Sequence, residues 1–329
     1  MLSRNRNDTR WIVVYQSDTN ANRFYLWDRR RQGAELLFSS WPELDRYTLA
    51  STRAFDVTAR DGLLLPCYLT LPAGVESKQL PMLVLVHGGP RLRDYWGYHD
   101  GQVQWLANRG YAVLQVNFRG SNGFGKQFLH AGDRELAGKM HDDVIDGINW
   151  AIKEGIADPE HIGIMGGSYG GYETLVGLTV TPETFAAGVD ICGFSSLRTF
   201  METVPSYWKP YLSSSWYQMV GNPDILADRD DMEKRSPISH VEAIKAPLLV
   251  GQGAHDPRVK QKESDAMVAA VRKAGKQVDY IVFPDEGHGF SRPDNNRRFN
   301  ALTEQFLATH LGGRFEPATA DESPEPFRR

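Results

Sequence analysis

Gly166-Gly167-Ser168-Tyr169-Gly170-Gly171 is the stretch on which the reading of this chain turns. Before it, His161-Ile162-Gly163-Ile164-Met165 reads as a short buried strand; after it, Tyr172-Glu173-Thr174-Leu175-Val176-Gly177-Leu178 reads as the start of a helix. A G-x-S-x-G run between strand and helix puts its serine on a sharp turn, with strained backbone and an exposed hydroxyl. Glycines flank the serine because a side chain there would strike the neighbouring strand or helix. The helix N-terminus also aims free N–H groups at whatever sits on the serine.

Working outward, 82–87, 112–117, 162–165, 187–191, 247–251 and 278–283 are short apolar runs suited to a sheet buried on both faces. Helical patterns lie between them, clearest over 140–154, 262–274 and 296–310. Runs 54–58 and 65–71 flank an Arg60-Asp61-Gly62 turn and read as an opening hairpin. Strand alternating with helix predicts an α/β fold with a doubly wound, mostly parallel sheet over residues 51–313. Residues 1–50 differ: Trp11-Ile12-Val13-Val14-Tyr15, Phe24-Tyr25-Leu26-Trp27 and Glu35-Leu36-Leu37-Phe38 predict a short antiparallel meander. Three strands bury little, so the meander needs a partner surface, and its open edge makes a homo-oligomer an expectation. Residues 314–329, rich in Pro, Glu and Ala, are expected to be a disordered tail.

A reactive serine needs a histidine to take its proton and a carboxylate to fix that histidine's tautomer. In a doubly wound hydrolase these follow the serine in the order acid, histidine, each at the carboxyl end of a later strand. Asp256 follows 247–251 in the loop Gly253-Ala254-His255-Asp256-Pro257-Arg258. His288 follows 278–283 in Pro284-Asp285-Glu286-Gly287-His288-Gly289-Phe290. Asp190 lies inside a strand, Asp285 is too near His288 along its own loop, and His255 precedes the acid. The expected triad is therefore Ser168, Asp256 and His288. The oxyanion needs two donors: the N–H of Tyr169, and a second from His87-Gly88-Gly89-Pro90, for which Gly89 is chosen.

Other features carry less. Gly120-Ser121-Asn122-Gly123-Phe124-Gly125 lacks the helix and acidic partner of a nucleotide loop and reads as a loop beside the site. Asp142, Asp143 and Asp146 share a helix without a metal-ligand pattern and read as a solvated face; no metal or cofactor is expected. Net charge is -4 with no basic stripe, which excludes a nucleic-acid footprint. No run reaches the ~18–20 apolar residues of a membrane span, and no signal peptide is visible, so cytoplasm is the expected compartment. Cys67 and Cys192 cannot build a disulfide framework and suit buried apolar positions at least as well as a single bridge.

With these motifs in order, residues 50–312 resemble the α/β-hydrolase catalytic domain of the prolyl oligopeptidase family, closest to its acylaminoacyl-peptidase and dipeptidyl-peptidase-like branch. The motifs are His87-Gly88-Gly89-Pro90, the 117–125 run Asn117-Phe118-Arg119-Gly120-Ser121-Asn122-Gly123-Phe124-Gly125, Gly166 to Tyr172, Asp256-Pro257-Arg258-Val259 and Glu286-Gly287-His288-Gly289-Phe290. The resemblance implies a serine peptidase acting on short peptides. It implies that Arg258 holds a substrate carbonyl, and that Phe194, Leu197 and Phe200, with Tyr172 at one side, line an apolar S1 pocket. His87 departs from the tyrosine that some members place in the oxyanion hole. Members also carry a long β-propeller before the hydrolase. Here 11–38 resembles its last blade, so the chain is expected to be either a fragment or a shortened form with an open site. A carboxylesterase with the same triad is the alternative, and a non-catalytic binding protein comes third.

Overall fold

Residues 1–317 are described by the structure, a computed structural model. The N-terminal strands are β1 (Ser3–Arg4), β2 (Arg10–Ser17), β3 (Asn20–Asp28) and β4 (Gly33–Ser39), antiparallel neighbours in that order. The three expected runs fall within β2, β3 and β4. Strand β1 is an addition, pairing Ser3 with Ile12 and Arg4 with Trp11; two residues are too few to show a period. Of residues 1–49 only Ala21 is buried, so this sheet has almost no core of its own. It is tied to the rest at the β2–β3 turn, where Asp18 Oδ2 accepts from Thr52 N at 2.7 Å.

The second sheet comprises β5 (Thr52–Thr58), β6 (Leu64–Thr70), β7 (Leu80–Val86), β8 (Ala112–Val116), β9 (Ala157–Gly167), β10 (Ala187–Ile191), β11 (Leu248–Gly253) and β12 (Val278–Phe283). Its order is β12-β11-β10-β9-β7-β8-β6-β5. The β5–β6 and β6–β8 pairs are antiparallel, and the others are parallel. The α-helices are α1 (Gly101–Asn108), α2 (Lys126–His130), α3 (Lys139–Lys153), α4 (Tyr169–Val180), α5 (Leu197–Glu202), α6 (Tyr217–Met219), α7 (Leu226–Lys234), α8 (Gln261–Lys273) and α9 (Pro293–Leu311). This is the α/β-hydrolase arrangement.

Alternate residues of the central strands serve opposite faces, as a pleated strand requires. Val84, Leu114, Ile164 and Val250 pack with Ile148 of α3, Leu175 of α4 and Met267 of α8. Leu83, Val113, Met165 and Leu249 pack with Leu106 of α1 and with Phe299 and Leu307 of α9. The parallel strands run as continuous apolar segments for this reason.

Two expectations need correction. Asp143 does not stand on a solvated face: it is fully buried and binds Arg119, whose Nη2 lies 2.6 Å from Asp143 Oδ1. Asp61 takes the other side of the same guanidinium at 2.8 Å. Asp142 and Asp146 are paired with Arg60. Cationic partners distant in sequence decided this, and helix periodicity carries no record of them. Nor is the start of the tail loose: Arg314 N donates to Arg109 O at 2.8 Å and Glu316 N to Glu304 Oε2 at 2.9 Å. The remainder, 318–329, lies outside the described residues.

Candidate active site

The parallel strands β7, β9, β10, β11 and β12 all present their carboxyl ends to one edge of the sheet, where ligands of open α/β sheets bind. Ser168 follows β9 with φ 60 and ψ −116, outside the ordinary regions for a residue with a side chain. Two close approaches enforce the turn. A Cβ on Gly170 would lie 2.2 Å from Val86 O, and one on Gly166 would lie 2.6 Å from Gly170. Glycine at both places lets α4 press onto β7 and lifts Ser168 above the sheet, half-buried. Ser168 N is anchored to Ile191 O at 2.8 Å.

Asp256 and His288 meet across adjacent strand ends: His288 Nδ1 donates to Asp256 Oδ2 at 2.6 Å. The other carboxylate oxygen accepts from Arg258 N at 2.8 Å and Val259 N at 2.9 Å. The Asp256 side chain is fully shielded, whereas that of His288 is 14% exposed, enough to meet a solute. The two loops are cross-braced, His255 N donating to Glu286 O at 2.9 Å. Glu286 is buried and gathers the turn after His288 through Ser291 N, Arg292 N and Asn295 Nδ2, at 2.8–3.1 Å. Burial opposes its charge, and these donors outweigh that penalty, holding its carboxyl below its ordinary range.

The Gly88–Gly89 loop overhangs the serine, because a Cβ on Gly88 would lie 3.6 Å from Ser168 Cβ. His87 does not face the site as a second base. Its Nδ1 bonds Gly88 O at 2.8 Å, its Nε2 lies 2.9 Å from Ser121 Oγ, and its ring stacks on Phe118. Enclosure pushes its pKa down to about 4, so it is neutral near pH 7. Tyr169 N is the first amide of α4 and has no acceptor within the helix. The Tyr169 hydroxyl points inward to Glu173 Oε2 at 3.2 Å, and Glu173 Oε1 lies 2.6 Å from His141 Nδ1.

The substrate-lining expectations fare differently from one another. Arg258 is exposed, and among the described residues no carboxylate lies within 4.0 Å of its guanidinium. Tyr172, Phe194, Leu197 and Phe200 are each 1% exposed or less and so offer no open pocket wall. They belong to the core: Tyr172 stacks on Phe194 and Phe194 on Phe200 at 4.7 and 4.2 Å, and the Tyr172 hydroxyl donates to Arg235 O. The stack continues through Phe200 to Trp216 and Trp208, both only half-buried. Sequence reasoning missed Glu173, His141 and Glu286, and also the buried Glu263, whose Oε2 accepts from Ser195 N at 3.0 Å and Ser196 N at 3.1 Å. A lone acid within the apolar run of α4 was the one readable signal.

Comparison with known proteins bears on this geometry. The sequence model of the Prolyl oligopeptidase family matches residues 96–314, more than half of the chain. The chain belongs to the prolyl oligopeptidase family. Dipeptidyl aminopeptidase BIII of Pseudoxanthomonas mexicana is 49% identical over 326 residues, covering 97% of this chain and 47% of that protein. Dipeptidyl peptidase family member 6 of Caenorhabditis elegans is 43% identical, covering 93% and 44%. A puromycin-hydrolyzing peptidase of Mycobacterium tuberculosis superposes with a TM-score of 0.83 at 27% identity, covering 94% of this chain and 47% of that one. The chain thus spans about half the length of the curated relatives it matches.

Proposed function

We propose that this prolyl oligopeptidase family chain carries the machinery of a serine peptidase that cleaves short peptides through an acyl-enzyme. The observation that carries the reading is the 2.6 Å Asp256–His288 hydrogen bond on the sheet edge that also bears Ser168 on its strained turn. Asp256 holds the proton on Nδ1, which leaves Nε2 free to take the Ser168 proton. Serine Oγ then attacks the peptide carbonyl. The tetrahedral oxyanion is held by the N–H groups of Tyr169 and Gly89, aided by the N-terminal end of α4. His288 returns the proton to the leaving amine, and water releases the acyl group by the same steps in reverse order. Arg258, exposed two residues after Asp256, is available to a substrate carbonyl. The relatives' names, dipeptidyl aminopeptidase and puromycin-hydrolyzing peptidase among them, support amide bonds next to short peptidyl or aminoacyl groups.

Turnover of aminoacyl and dipeptidyl p-nitroanilides and of p-nitrophenyl esters by wild type and Ser168→Ala tests this. Loss of about 10^4-fold or more in kcat on removing Ser168 is expected, with a fluorophosphonate adduct mapping to that residue by mass spectrometry. Equal rates in both proteins would overturn the reading. Ester turnover with no amide turnover would replace peptidase by esterase.

A further inference from the structure

Cys192 follows β10 with φ 52, and its N donates to Gly251 O at 2.9 Å. This turn brings the thiol close to the Asp256–His288 pair. One ligand atom each of Cys192, Asp256 and His288 lies within 4.8 Å of the other two. We propose that this cluster is an inhibitory site for a thiophilic divalent cation of the zinc–cadmium class. The ion bridges Cys192 Sγ, His288 Nδ1 and Asp256 Oδ2.

Thiolate, imidazole and carboxylate form a donor set suited to such ions, and a single carboxylate is a poor match for calcium or magnesium. A tetrahedral zinc site needs donor–donor edges of about 3.3–3.6 Å, so on binding Asp256 Oδ2 and His288 Nδ1, now 2.6 Å apart, move apart to admit the ion. The ion displaces the proton now shared by Nδ1 and Oδ2. That proton stays on the ring but moves to Nε2, which then faces Ser168 as a donor and cannot act as base. The thiol proton leaves to solvent, so each ion bound releases one proton. The thiol binds the ion only after losing its proton, so protons compete and occupancy rises with pH. Cys67 is the internal control: it is buried elsewhere, with Sγ against Leu65 O at 3.3 Å.

Metal binding stands on the cluster alone; the inhibition rests on the peptidase reading. The test titrates the whole chain with cadmium ion, reading both thiolate-to-cadmium ultraviolet absorption and p-nitrophenyl ester turnover. In wild type and Cys67→Ser the absorption should grow as turnover falls, with one midpoint, and EDTA should reverse both. Cys192→Ser and Cys192→Ala, checked for folding by circular dichroism, should keep metal-free turnover. They should lack the band and need at least tenfold more cadmium for half-inhibition. Inhibition of the Cys192 variants at the wild-type midpoint, or a band that survives them, overturns the proposal. So does the lack of any band in wild type. A band without turnover in any protein keeps the metal site and rejects the peptidase reading.

Discussion

Asp256 and Asp190 are buried acids on neighbouring strand ends, yet their surroundings set them apart. Asp256 has two amides on one oxygen and an imidazole on the other. Asp190 has only the Gly193 N–H at 2.8 Å, and its second oxygen has no partner among the described residues. Burial accordingly raises Asp190 to about 7. In the unfolded chain it ionises near ~3.9, so between about pH 4 and 7 the native state holds the extra proton. Stability therefore falls as pH rises through that window. Asp190→Asn removes the penalty: thermal melts should show the variant more stable than wild type at pH 8, with the gap closing towards pH 4. Melting curves that stay parallel across this range would refute the assignment. His87 works in the opposite sense. Its pKa is lowered to about 4, so an unfolded histidine takes up a proton first, near ~6.5, and its contribution is lost as pH falls from there.

Elements are set against one another by contacts of a few atoms. The α4 helix can reach β7 only because Gly170 has no side chain. Gly170→Ala should lift α4, cost about 1–3 kcal/mol in urea melts and abolish turnover by moving Ser168. Gly101→Ala, where an added Cβ meets no neighbouring atom within 4 Å, should leave both unchanged. The α3 helix is bound to the 117–125 loop by Arg119 and the wholly buried Asp143. Arg119→Met strands that carboxylate and should cost about 3–5 kcal/mol. The double variant Arg119→Met/Asp143→Leu should recover most of this in the same denaturation experiment; a double variant as unstable as the single one would point to packing instead.

At the scale of the molecule, the N-terminal sheet leans on the hydrolase unit through few polar contacts. Gln104 of α1 supplies one, donating to Asp18 O at 3.1 Å, and also holds the linker, accepting from Ala50 N at 2.9 Å and donating to Ala50 O at 2.7 Å. Each is worth about 1 kcal/mol. Gln104→Ala should therefore speed proteolytic nicking around residues 40–52 while ester turnover by Ser168 stays at the wild-type rate. Unchanged nicking would mean that apolar contact holds the sheet. No helix of the described residues is long and apolar enough to cross a membrane.

Local pattern alone settled much of this protein. The alternation of apolar strands and amphipathic helices specified the doubly wound sheet, since burial on both faces leaves a continuous apolar run. The glycines around Ser168 specified the turn, because only they permit its backbone and its close approach. Chain order then picked out Asp256 and His288, as strand-end loops follow in sequence. Tertiary structure alone decided which charges are buried and paired. Arg119 with Asp143, Glu173 with His141 and Glu263 with Ser195 join residues 24 or more positions apart. No local period records such partners. It also decided that Phe194, Leu197 and Phe200 fill the core instead of lining an open pocket, and that Cys192 comes close to Asp256 and His288. An apolar residue reads the same in sequence whether it meets a substrate or another ring; only three-dimensional packing tells the two apart.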